Sequence, residues 1–163
     1  MALNKIFFLF LILVALPVFA GGSGHTDNPD GPYDESANAR EEITAAVQKA
    51  QENNQHVLLV FGANWCPWCR ALHNLFTENK QIRQLLDTNF QVVLVDIGRK
   101  DKNMDVDSLY GNPVKMGVPA LVVLNSAGEQ VALQETGSLE WQNTGEKGHD
   151  PKKVAAFLMK FIE

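Results

Sequence analysis

Only two cysteines occur in the chain of 163 residues, and they stand three positions apart, as Cys66 and Cys69. Thiol–disulfide exchange needs a thiolate to attack and a second thiol close enough to release the mixed disulfide. A two-residue spacer supplies that second thiol. A pair kept for stability would join distant segments, since closing a longer loop restricts the unfolded chain more. This pair closes almost nothing, so its use is chemical. Pro67 follows Cys66 directly and suits the first position of a helix, where its missing N–H has no helical partner to lose. Cys66 then sits beside the unpaired N–H groups and positive dipole end of a helix start, which favours its thiolate. Cys69 lies one turn further in and is shielded. The reading is Cys66 as nucleophile and Cys69 as resolving thiol, with Trp65 and Trp68 either a substrate platform or packing around the sulfurs.

The flanking pattern says what holds the pair. Residues 56–61 (HVLLVF) form a continuous apolar run rich in branched side chains, as expected of a strand buried on both faces, and it ends just ahead of the cysteines. Before it, Ala39, Ile43, Ala46, Val47 and Ala50 make one helical stripe. After it, Trp68, Leu72, Leu75 and Phe76 share a helix face, and Asn79 can cap a further short helix carrying Ile82, Leu85 and Leu86. Residues 90–97 and 119–124 read as strands, and residues 129–134 return after the turn at 125–128 as an antiparallel partner. Asp150 and Pro151 signal the start of a last helix with Val154, Phe157, Leu158, Phe161 and Ile162 on its apolar face. The fold class is α/β, a central mixed sheet of about four strands flanked by helices.

Here the chain resembles the thioredoxin superfamily. Phe61-Gly62-Ala63-Asn64-Trp65-Cys66-Pro67-Trp68-Cys69 looks like its strand and Cys-x-x-Cys segment, Gly117-Val118-Pro119 like its cis-proline loop, and residues 125–131 like the hairpin that follows. The resemblance covers about residues 36–162. It implies a thioredoxin-like fold, a cis peptide at Val118-Pro119 facing the cysteines, and the backbone of Val118 pairing with an extended substrate strand, a binding mode with little side-chain demand. It implies a redox-active disulfide, Cys66 with Cys69, and no other cofactor. Trp65, Pro67, Trp68, Val118 and Pro119 would line the substrate site.

Two departures bear on the chemistry. Pro67-Trp68 replaces the usual Gly-Pro spacer, so the potential cannot be carried over. The superfamily's buried acid falls at Val60, so another proton acceptor is required, and His73 and Glu78 are the candidates. Residues 98–112 are longer than in a minimal member and either shape partner choice or form a solvated loop. Trp141 has no reading.

A metal site is the rival of a different class. One Cys-x-x-Cys supplies two ligands, while His25, His56, His73 and His149 lack the paired spacing of structural zinc sites. His56 and His149 read as polar residues at element ends. No metal is expected, although copper bound by two thiolates and a third ligand such as His73 stays open, as does a binding module without turnover. The net charge of −5 and the lack of a basic cluster exclude nucleic acid as a partner.

Lys5, the apolar run of residues 6–16 and Val18-Phe19-Ala20 read as a signal peptide cleaved after Ala20, with an uncleaved anchor as the alternative. Residues 21–33 read as a flexible lead and 34–163 as the domain. The protein is then periplasmic or secreted and monomeric. It would act on disulfides and thiols of exported proteins and exchange electrons with a membrane or periplasmic redox partner. Likeness to periplasmic reducing relays favours a reductase; oxidase and isomerase roles are the alternatives.

Overall fold

The computed structural model describes residues 31–142 and 147–162. The expected signal peptide, the lead before residue 31 and His25 lie outside the described residues. Helix α1 (Ala39–Asn53) is capped by Asn38, whose side chain accepts from the backbone N–H groups of Arg40 and Glu41. Strand β1 (His56–Gly62) follows, then α2 (Pro67–Glu78), α3 (Lys80–Asn89), β2 (Phe90–Asp96), α4 (Met104–Leu109), β3 (Ala120–Leu124), β4 (Gln130–Glu135) and α5 (Pro151–Leu158).

The sheet runs β2-β1-β3-β4. β1 is parallel to β2, antiparallel to β3, and β3 is antiparallel to β4. The branched residues of β1 divide between two cores because successive side chains of a strand point to opposite faces. Val57, Leu59 and Phe61 join Ala39, Ile43, Ala46 and Ala50 of α1. Leu58 and Val60 join Leu72 and Phe76 of α2, Ile82 and Leu86 of α3, and Val154, Phe157 and Leu158 of α5. β1 is thereby covered above and below and hydrogen-bonded on both sides, which explains its continuous apolar sequence. The thioredoxin-like mixed sheet of four strands flanked by helices is the architecture that the resemblance implied.

Residues 98–112 are folded rather than merely solvated. Asp96, buried at the end of β2, pairs with Lys102 at 3.0 Å, while its carbonyl accepts from the Asn103 side chain at 2.8 Å. The buried Asp107 accepts the Val114 N–H at 2.8 Å. Helix α4 lies within this stretch, and a 3₁₀ turn, Pro113–Met116, leads from it into the proline loop. Among the described residues no helix is long and apolar enough to cross a membrane.

Candidate functional site

Cys66 is the N-cap of α2 and Pro67 its first helical residue. The Cys69 N–H, an otherwise unpaired donor of the first turn, points at the Cys66 sulfur over 3.2 Å. Cys66 and Cys69 are joined in a disulfide. Cys69 is fully buried and Cys66 is 3% exposed, so any partner disulfide meets the first sulfur and not the second.

The proline loop faces the pair. The Val118–Pro119 peptide is cis, and the Val118 carbonyl oxygen lies 3.6 Å from the Cys66 sulfur. The buried hydroxyl of Thr136, just after β4, donates to the Pro119 carbonyl at 2.6 Å and holds the loop from behind. Trp65 is 45% exposed at the rim, with its indole N–H donating to the Gly98 carbonyl at 2.6 Å. The 98–112 stretch is thus in contact with the motif. Pro67 is exposed beside it. Trp68 is half-buried and packs against the two cysteines together with Val118.

The two proton-acceptor candidates fare differently. Glu78 is exposed at the far end of α2, nine residues beyond Cys69 and so about 13 Å along the axis at 1.5 Å per residue. A carboxylate at that distance cannot take a proton from Cys69. His73 is half-buried one turn after Cys69 on the same helix. Among the described residues no three His, Cys, Asp or Glu side chains are grouped where a metal ion could be held.

Two side chains that sequence reasoning assigned elsewhere belong to this site. Tyr33, placed in the flexible lead, is 1% exposed and packs directly on Cys66 and Cys69. Asn64 holds it there: the Asn64 side-chain oxygen accepts the Tyr33 N–H at 2.9 Å and the Asn64 side-chain NH₂ donates to the Tyr33 carbonyl at 2.9 Å. Gly62 is required at the end of β1, because a Cβ there would come under 3.0 Å from both the Tyr33 hydroxyl and the Cys69 sulfur. The readable signal was that Tyr33 is the only aromatic among residues 21–60.

His149, read as a polar residue ahead of a helix, is 4% exposed, and its ring meets that of Trp68 edge-on at 6.0 Å between centroids. Neither ring nitrogen has a hydrogen-bond partner. The correction has a local cause: His149 immediately precedes the N-cap Asp150, a position whose side chain commonly packs inward against its helix. Burial pushes its pKa down to about 4, so the ring is neutral in the fold. The unfolded chain binds the proton from about pH 6.5 downward while the fold resists it, so stability falls as pH drops from about 6.5 to 4 and levels off below that. The expected loss is on the order of 2 kcal/mol. Denaturant melts of the wild type and His149→Phe at about pH 7.5 and 4.5 measure it. An equal drop in both proteins would assign the acid sensitivity to other groups.

Comparison with known proteins agrees with this geometry. The family model for thioredoxin-like proteins matches residues 38–126, from the N-cap of α1 to the turn after β3. A disulphide isomerase from Xylella fastidiosa Temecula1 superposes with a TM-score of 0.70 at 33% identity, over 82% of this chain and 98% of that one. The oxidised C-terminal domain of DsbD from Neisseria meningitidis shares the fold, with a TM-score of 0.54 at 17% identity over 77% of this chain and 97% of that one. Spermatogenesis-associated protein 20 of Mus musculus is 34% identical over 65 residues, which are 40% of this chain and 8% of that protein. The chain therefore spans under a tenth of that relative's length. With the sheet, the helix-start cysteine pair and the matched segment in agreement, the chain belongs to the thioredoxin-like family of disulfide oxidoreductases.

Proposed function

We propose that the protein reduces disulfides of exported proteins, with Cys66 attacking and Cys69 resolving. The observation that carries this is the Cys66 sulfur at the N-cap of α2, under the Cys69 N–H at 3.2 Å, with a carbonyl of the facing loop 3.6 Å away. The N–H stabilises a thiolate on Cys66, and the Val118 backbone next to it offers strand-type hydrogen bonds to an extended partner. The pair is itself the redox group, so no further cofactor enters the scheme.

The periplasmic or secreted location rests on residues 1–20, and N-terminal sequencing of the exported protein, expected to begin at Gly21, tests it. Electrons would come from a membrane or periplasmic redox partner, because an exported compartment is kept oxidising and a reductant there must be recharged.

The direction is tested by equilibrating the protein with glutathione mixtures. A potential below about −200 mV is expected of a reductase; a value near −120 mV, that of a strong oxidant, would overturn the reading. The 33%-identical disulphide isomerase from Xylella fastidiosa favours a second reading as an isomerase. Reactivation of scrambled ribonuclease separates the two, since a simple reductase releases thiols without restoring the native pairing. A Cys69→Ser protein should accumulate mixed disulfides with exported partners. Recovery of none from a folded variant would count against both readings.

A further inference from the structure

Val60 occupies the place where the resemblance implies a buried acid, and it contributes only to the apolar core. Something else must ease the formation of a thiolate on Cys69, which has no solvent around it. The Tyr33 hydroxyl is the buried polar group at hand. It has no hydrogen-bond partner while the cysteines are joined, and it shares with the Cys69 sulfur the small space that Gly62 leaves open. An unpaired buried hydroxyl costs free energy, so its retention at this spot calls for a state in which it is paired.

We propose that the Tyr33 hydroxyl, held behind the motif by Asn64, is the positioning donor that hydrogen-bonds the Cys69 thiolate when the mixed disulfide is resolved. This rests on the exchange chemistry proposed above. In that step the Cys69 thiolate forms a bond to the Cys66 sulfur while the bond between Cys66 and the partner breaks. The partner leaves with the electron pair and takes up the proton that Cys69 gave up. Across the cycle the two cysteines lose two electrons and the partner disulfide gains them. Tyr33 keeps its proton throughout, because burial, reinforced by the Asp96 carboxylate, holds the phenol well above its ordinary range. A donor that never ionises can stabilise a thiolate without competing for its proton.

The charged and titratable groups around this hydroxyl are few. Asp96 at the end of β2 is ion-paired with Lys102, and Lys102 also reaches the Glu35 carbonyl. The Glu35 carboxylate accepts from the Asn64 amide at 3.2 Å, and Arg70 of α2 donates to the Asn64 carbonyl at 2.5 Å. His73 lies one turn beyond Cys69.

The test uses the reduced full-length protein and dithionitrobenzoate, an aromatic disulfide that releases one coloured thiolate when Cys66 attacks and a second when Cys69 resolves. In Tyr33→Phe the second phase should slow about tenfold near neutral pH and its pH midpoint should rise by about one unit, as loss of one hydrogen bond to a charged group predicts. The first phase should keep its midpoint. The disulfide form never had this contact, so above the second midpoint, where reduced Cys69 rests as a thiolate, the glutathione equilibrium should shift about tenfold towards the disulfide, a potential about 30 mV more negative, while at neutral pH, where Cys69 rests as a thiol, it should hardly move. The oxidised protein should melt no earlier than wild type, since no existing hydrogen bond is lost.

Site-specific 3-fluorotyrosine at position 33, a stronger donor of nearly the same shape, should move the second midpoint down. A second phase with unchanged midpoint in either folded variant overturns the proposal, as does an equal slowing of both phases, which marks a structural role. Release of only one coloured thiolate per wild-type protein would instead refute the exchange function itself.

Discussion

Cys66→Ala is expected to abolish disulfide reduction while leaving the fold intact, with the rate of insulin reduction falling on the order of a thousandfold or more. Cys66 alone combines access with a polarised sulfur: Cys69 is fully buried and has its N–H turned towards Cys66. No other cysteine exists to substitute. Stability changes little by comparison. The bridge spans a sequence separation of 3, and a loop that short restricts the unfolded chain by only about 2 kcal/mol. Insulin reduction coupled to a chemical reductant, together with a melting curve, checks both halves. Residual activity above a few per cent of wild type would mean that Cys69 can attack unaided and that the division of labour is wrong.

Asn64→Ala is expected to destabilise the protein by about 2–4 kcal/mol, more than most single changes near a surface. Its amide makes two hydrogen bonds to the Tyr33 backbone, each 2.9 Å long and buried. Truncation would leave a buried N–H and a buried carbonyl without partners, and each such group costs about 1–3 kcal/mol. Two further contacts, from the Asn64 amide to Glu35 and from Lys102 to the Glu35 carbonyl, bind the same segment less deeply. The loss should therefore appear first as local opening of residues 31–36. Urea melts read the total, and hydrogen exchange at Tyr33 reads the local part. A change under about 0.5 kcal/mol would show that the segment is held by its apolar contacts alone.

These expectations draw on two kinds of residue that differ in how visible they are in a sequence. The cysteines, Pro67, Asn79 and the Asp150-Pro151 cap act through neighbours a few positions away, and local spacing reveals them. The continuous run of β1 announces a strand covered on both faces for the same reason. Tyr33 and His149 reach the site from 33 residues before Cys66 and 80 residues after Cys69, through contacts that no local pattern encodes. Their surroundings also mislead: Tyr33 follows a Gly-, Pro- and Asp-rich stretch, and His149 ends a polar segment. Glu78 failed in the opposite way. It shares α2 with Cys69, but the rise of the helix carries it out of range. For residues 98–112, composition alone could not show that Asp96 and Asp107 would be buried and partnered.

A mixed disulfide is a covalent tether, and a partner that is still moving or unfolding pulls on it. The pull enters at Cys66 and passes within four residues into β1. That strand is held laterally by β2 along its whole length and by β3 over most of it. The load is thus shared by two ladders of hydrogen bonds at the middle of the sheet, while the flanking 31–36 segment is spared. In the proposed exchange, such an anchorage would place the load of a held partner on the strand of the sheet that is paired on both sides.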